Sequence, residues 1–205
     1  GERLGCGTGV WKFSEAVRAG TMSQEDFNNS EKSMIRSKGH CNTMGTASTM
    51  GSLAEALGMV LPGTAGTPAP DSRLLQAAHE SGIRIVEMIE EDLKPSDIMT
   101  QAAFTNAIVT LGAIGGSSNA VVHLLAIAGR LGVKLTLDDF DRIGSRIPLL
   151  VNLQPAGEFL MEDLFRAGGL AAVLNEVMRY LDPTAISVTG KPFVDSLAGA
   201  EIYDS

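Results

Sequence analysis

The sequence predicts the α/β class: a helix-rich part of a layered domain with few strands. Three observations carry this expectation. Apolar residues recur at three- and four-residue spacing through most of the chain, only two short runs read as strands, and Gly/Pro clusters separate the segments. With 205 residues, 44% apolar and 20% charged, the chain can bury a sizeable core.

Taken in order, Trp11, Phe13 and Val17 predict a short helix near 11–18, ending at Gly20. Ser23 and Asp26 form a capping-box pattern opening a polar helix over 24–36, with Phe27, Met34 and Ile35 as its few apolar contacts. Asn42 or Thr43 is positioned to cap a helix reaching Gly58, with Met44, Ala47, Met50, Ala54 and Leu57 at helical spacing. Its other face carries Gly45, Ser48, Gly51 and Ser52, small enough for a backbone or a bulky cofactor to approach. Residues 62–70 form an irregular loop, of the kind that is more often functional than idle.

Asp71 or Ser72 caps a long helix with Leu75, Ala78, Gly82, Ile85 and Ile89 on one face. Glu87, Glu90, Glu91 and Asp92 at its end read as a solvated surface rather than a carboxylate site. Beyond the helix breaker Pro95, Thr100 opens a helix with Phe104, Ala107, Ile108 and Leu111 inward. Gly115-Gly116-Ser117-Ser118-Asn119 then precedes the apolar helix 120–131. Backbone amides at such a start can hold a carboxylate or phosphate, but ending one helix and capping the next is the plainer reading. Thr136 with Asp139 starts a short helix through Ile143. The runs 148–153 and 185–188 read as strands, and helices over 159–166 and 170–181 lie between them. The second of these helices turns Leu170, Val173, Leu174, Val177 and Leu181 inward.

A net charge of −8 without a basic patch argues against a nucleic acid partner. The longest apolar run, Ala120 to Ala128, is too short to span a bilayer, and Gly1-Glu2-Arg3-Leu4 shows no signal-peptide pattern. The expected location is the cytoplasm, or an organelle matrix if a transit peptide has been lost. Two cysteines fit a reducing compartment, with Cys6 in a Gly-rich loop. Cys41, placed at a helix N-terminus, would be favoured as a thiolate, able to bind a metal or attack an electrophile. His40, His79 and His123 are too dispersed to complete a metal site with it, and His123, on an apolar helix, reads as a satisfied core histidine.

Several ordered blocks together resemble one family. They are Gly39-His40-Cys41-Asn42-Thr43-Met44-Gly45-Thr46-Ala47-Ser48-Thr49-Met50, Glu55-Ala56-Leu57-Gly58-Met59 with Leu61-Pro62-Gly63, and Pro68-Ala69-Pro70-Asp71-Ser72-Arg73. Gly115-Gly116-Ser117-Ser118-Asn119-Ala120-Val121-Val122-His123-Leu124 and Pro148-Leu149-Leu150-Val151-Asn152-Leu153 with Gly157-Glu158 complete the set. The chain resembles the dihydroxy-acid, 6-phosphogluconate and sugar-acid dehydratases, iron–sulfur lyases, over nearly its whole length. The His-Cys-Asn form looks like the aldonate (arabinonate or xylonate) branch.

The resemblance implies a helix-rich portion of a three-layer α/β/α domain with few strands. Residues 1–205 would be part of the cluster-binding N-terminal domain, without the C-terminal β-barrel domain that carries the family's proposed catalytic serine. It implies a [2Fe-2S] or [4Fe-4S] cluster with Cys41 as one of three cysteine ligands, and Mg2+ most of whose ligands lie upstream of the Cys41 block. His40, Asn42, Thr43, Ser117 and Ser118 are near-site candidates, and no catalytic residue falls within the chain. The implied reaction is dehydration of a sugar acid or 2,3-dihydroxy acid to a 2-keto-3-deoxy acid, in a homo-oligomeric (dimeric or tetrameric) parent protein that needs neither nucleic acid nor membrane.

The isolated chain is expected to be inactive. The rival readings are a dihydroxy-acid dehydratase of branched-chain amino-acid synthesis, a non-catalytic domain retaining the fold and dimer contacts, and a thiol enzyme pairing Cys41 with His40.

Overall fold

The computed structural model describes residues 4–34 and 37–203. In chain order the α-helices are α1 (Cys6–Arg18), α2 (Gln24–Met34), α3 (Thr46–Ala56), α4 (Ser72–Glu90), α5 (Pro95–Ile98), α6 (Gln101–Ala113), α7 (Asn119–Leu131), α8 (Leu137–Gly144), α9 (Met161–Ala167) and α10 (Gly169–Glu176). Short 3-10 turns follow at Met178–Tyr180 and Phe193–Leu197. Extended pairing among the described residues is limited to two isolated bridges, Leu153 with Phe159 and Ile186 with Pro192. The helix-rich expectation therefore holds.

α6 is the centre of the core because apolar residues occupy nearly its whole circumference. Ala103, Phe104, Ala107, Ile108, Val109 and Ala113 are all buried, and α3, α7, α8 and α10 pack around them. Two polar residues share that interior. Thr110 returns its hydroxyl to the Asn106 carbonyl at 2.7 Å. Asn106, fully buried, donates to the Asp182 carbonyl at 3.1 Å and accepts the Asp182 N–H at 2.6 Å, tying the segment after α10 to α6. The inward positions Leu170, Val173, Leu174, Val177 and Leu181 are all buried as expected. The chain beyond them tucks Phe193 and Leu197 into the same core.

Local start signals are realised at α2, α4 and α8, Asp71 accepting the Arg73 N–H at the start of α4. The Thr136–Asp139 capping box opens α8. At α2, the Asp26 N–H bonds the Ser23 hydroxyl at 3.0 Å. The expected end of α2 at Ile35 and Arg36 lies outside the described residues.

Four expectations are corrected. Cys6 opens α1 instead of sitting in a loop, because the helix begins a full turn before Trp11; its side chain lies outside the described residues. Residues 148–153 form no strand: Leu149 and Leu150 are exposed, and Leu150 N–H bonds the Ala113 carbonyl at 2.9 Å at the end of α6. An extended run becomes a strand only with a neighbour paired along its length, and among the described residues the bridging of this run is confined to its end, where Leu153 meets Phe159. The run 185–188 likewise makes a tight return through the Ile186 bridge and the Ser187 N–H bond to Lys191 O. The apolar stripe of α4 is not covered either: Leu75 is 70% and Ile89 74% exposed, and only Met88 is buried.

α4 is held instead through its C-terminal half, where Met88 packs with Ile98 and Val188. Arg84 Nε donates to the Val188 carbonyl at 2.6 Å while its guanidinium pairs with Glu87 and Glu91, so the acidic run is a solvated face with its charge partly offset by local ion pairs.

The loop between α3 and α4 is organised by a buried carboxylate. Glu55, 2% exposed, accepts the N–H groups of Gly63 at 2.7 Å and Ala65 at 2.9 Å. Burial pushes its pKa above the usual carboxylate value, against the opposing pull of these N–H bonds. A folded state that binds this proton more tightly than the unfolded chain gains stability at low pH. The gain is complete below the unfolded value and lost as pH rises through the folded one.

Two outcomes follow. Across denaturant melts from about pH 4 to pH 8, the stability of the parent relative to Glu55→Gln should fall with rising pH, because only the parent carries this titration. Asn106→Ala should cost about 1–3 kcal/mol in the same assay, leaving the Asp182 N–H without its acceptor and its carbonyl with only the 3.5 Å bond from Ala185 N–H, and Asn106→Asp should cost more at neutral pH by placing a charge there.

Candidate metal-ligand turn

Cys41 lies in the irregular segment 37–45, five residues ahead of α3, whose N-cap is Gly45. This corrects the expectation of a thiol at a helix N-terminus capped by Asn42 or Thr43. The physical reason is that the backbone of 42–44 is engaged by other elements before α3 can begin. Met44 N–H bonds the Gln154 carbonyl at 2.8 Å, and the Asn42 carbonyl accepts Met161 N–H at 3.0 Å. Asn42 does act as a cap, but for α9: its Oδ1 accepts the Glu162 N–H at 3.1 Å, satisfying a first-turn donor of a distant helix.

Ser48 supplies the last restraint. Buried on the first turns of α3, it donates its hydroxyl to the Thr43 carbonyl at 2.7 Å and lies 3.4 Å from the Cys41 carbonyl. The half-buried thiol of Cys41 sits 3.2 Å from the Thr43 hydroxyl. Two glycines permit the packing around this turn. A Cβ at Gly5 would overlap the Thr43 methyl, and one at Gly39, where φ is +123°, would press on Ala69 of the loop that Glu55 holds. His40 is exposed, with Nδ1 2.9 Å from the Cys41 carbonyl oxygen, so this ring nitrogen is directed at backbone.

Ser117 belongs to a second cluster, also anchored on α3. Its N–H donates to Thr49 Oγ1 at 2.9 Å, and its hydroxyl lies 3.1 Å from that of Thr46. Asn119 Nδ2 donates to Thr46 Oγ1 at 2.9 Å, and the Asn119 N–H reaches Ser117 Oγ at 3.3 Å. The starts of α3 and α7 are thereby stitched together. Ser118 is exposed and makes no side-chain cap bond. His123 is exposed on α7, correcting its reading as a core histidine: α7 buries Ala120, Leu124 and Ala128, and His123 falls off that stripe.

Sequence reasoning missed Thr46, Ser48, Thr49 and Glu55 as organisers. The available signal was the run of hydroxyl residues on one side of α3, noted only for its small size. Outside the turn, Asp71 caps α4 by accepting the Arg73 N–H, and its pairing with the Arg73 side chain holds its pKa at about 2. The same guanidinium lies 4.6 Å from the centre of the Phe165 ring on α9. Among the described residues no group of three or more His, Cys, Asp or Glu is disposed to hold a metal ion. The turn presents a single thiol on a backbone held by Ser48, Gln154 and the start of α9.

The family described as dihydroxy-acid/6-phosphogluconate dehydratase N-terminal matches residues 4–196. The chain is 56% identical over 199 residues to an L-arabinonate dehydratase of Rhizobium leguminosarum bv. trifolii, covering 96% of this chain and 34% of that protein. It is 46% identical over 205 residues to a D-xylonate dehydratase of Caulobacter vibrioides (99% and 34% covered). A dihydroxy-acid dehydratase of Sulfurisphaera tokodaii is 46% identical over 190 residues (92% and 34% covered). The chain thus spans about a third of the length of the curated relatives it matches. With its family match running almost end to end, the chain belongs to the dihydroxy-acid/6-phosphogluconate dehydratase family and corresponds to the N-terminal region that the family's description names.

Proposed function

We propose that the chain serves a full-length hydro-lyase that dehydrates an aldonic acid to a 2-keto-3-deoxy acid, and that Cys41 is one thiolate ligand of its iron–sulfur cluster. The observation carrying this reading is the Cys41 turn itself. Ser48, Gln154 and the start of α9 hold its backbone from three directions, as a ligand must be held to meet a metal group of fixed geometry. When bound, such a cluster supplies a Lewis-acidic iron for the leaving hydroxyl, with Mg2+ holding the substrate carboxylate.

The chain's own contribution is ligation and alignment. Asn42 and Ser48 orient the turn, the Thr43 hydroxyl lies against the sulfur, and exposed His40 stands at its outer side. The Ser117 hydroxyl is engaged with Thr46, so its role is to fix α7 against α3, and Ser118 remains exposed beside it. A small-molecule acid is the partner this reading needs, in a cytoplasmic homo-oligomer.

Support for the aldonate branch comes from its arabinonate members, at 56% and 52% identity, against 46% for both a dihydroxy-acid dehydratase and a D-xylonate dehydratase. A site built to hydrogen-bond extra hydroxyls discriminates strongly against an acid that lacks them. The full-length protein should accordingly turn over an aldonic acid at least about tenfold more efficiently than a 2,3-dihydroxy acid, measured as kcat/KM for 2-keto acid formation. The reverse preference would place it in the branched-chain branch, and no turnover of either would favour a non-catalytic domain.

Cys41→Ala should abolish most cluster binding in the full-length protein, read as iron per chain and visible absorption after anaerobic reconstitution. Unchanged iron content would refute the ligand assignment. The 205-residue chain alone should hold no stoichiometric cluster under the same treatment.

A further inference from the structure

Thr43 is 7% exposed, and its hydroxyl is directed to the Cys41 sulfur at 3.2 Å. This orientation is imposed from outside the residue. Its carbonyl receives the Ser48 hydroxyl, and the following N–H is bound to the Gln154 carbonyl, so the backbone on both sides of its side chain is held. The methyl occupies the space left by the missing side chain of Gly5, where a Cβ would overlap it. With the methyl fixed against Gly5, the rotamer is set and the hydroxyl has one direction left.

A thiol and a hydroxyl can each donate to the other. A metal-bound thiolate carries no proton, so in that state only the hydroxyl can donate. We propose that the Thr43 hydroxyl donates a hydrogen bond to the Cys41 sulfur and thereby raises the reduction potential of the cluster that this sulfur holds; the inference rests on the ligand reading of Cys41 given above. Reduction adds negative charge that spreads onto the ligand sulfurs, and a donor aimed at one of them stabilises the reduced form more than the oxidised form.

The test is the cluster midpoint potential in the reconstituted full-length protein, from a redox titration followed by electron paramagnetic resonance. Thr43→Val, which keeps the branched shape and removes the donor, should move the midpoint to more negative values, whereas Thr43→Ser should leave it at the parent value. Thr43→Ala removes the donor without adding bulk and should shift the midpoint in the same direction, which keeps the test available if valine does not fit. An unshifted midpoint in the variants lacking the hydroxyl overturns the proposal. Equal shifts in Thr43→Val and Thr43→Ser also overturn it, because the effect would then not follow the presence of the hydroxyl. Cys41→Ala is measured alongside for iron. Iron retained in that variant overturns the ligand assignment itself, and this is distinct from an unshifted Thr43→Val, which removes only the hydrogen bond.

Discussion

The hydroxyl and carboxylate groups buried along α3 hold the molecule's parts in register. Ser48 fixes the Cys41 turn, Thr49 receives the start of α7, and Glu55 gathers the loop leading to α4. All three are at most 2% exposed, and among the described residues no buried side-chain nitrogen or oxygen lacks a partner. Such groups impose geometry in a way that apolar packing does not. A leucine tolerates a small slide of its neighbour, whereas a buried hydroxyl displaced from its acceptor forfeits roughly 1–3 kcal/mol. α3 packs against α6, the most enclosed helix, so these three attachments share one rigid base.

This arrangement explains which parts of the fold were legible in the sequence. The Thr136–Asp139 box and the spacing of Leu170, Val173, Leu174, Val177 and Leu181 are local patterns, and local patterns survive because their partners lie within a turn or two. The start of α3 is not local. Asn42 and Thr43 are good capping residues by type, but their groups are drawn to α9 and to Ser48, and the helix begins at Thr46 instead. Composition reveals that Asn42 will cap something without revealing that the helix lies 120 positions away in the chain.

Periodicity has a comparable limit. It identifies a stripe on a helix but not whether anything covers it. The stripe of α4 is well formed and exposed, while the face of α3 carrying Ser48 and Ser52 is buried although Ala47 on the more apolar side is exposed. His123 shows the same limit: an apolar surrounding sequence is not an apolar environment, and its position on α7 turns it outward. The candidate site was legible as a block, Gly39 through Met50, because its residue types are unusual together. Its geometry was not, since the turn is anchored by Ser48, Gln154 and α9, all outside the irregular stretch that carries Cys41.

The same non-local restraint bears on how the ligand proposed at Cys41 would be prepared for a metal. A cysteine in an irregular segment has many conformations, and ordering one backbone residue costs about 1–2 kcal/mol. If the metal had to impose that order, its affinity would fall by the same amount. Here the order is established by protein contacts alone: Met44 to Gln154, Asn42 to α9, and Ser48 to Thr43. A helix N-terminus would have stabilised the thiolate through the dipole while leaving its position to the first, fraying turn. The turn gives up that electrostatic advantage and gains a sulfur whose place is set by three separate elements, together with a hydroxyl held beside it by Gly5.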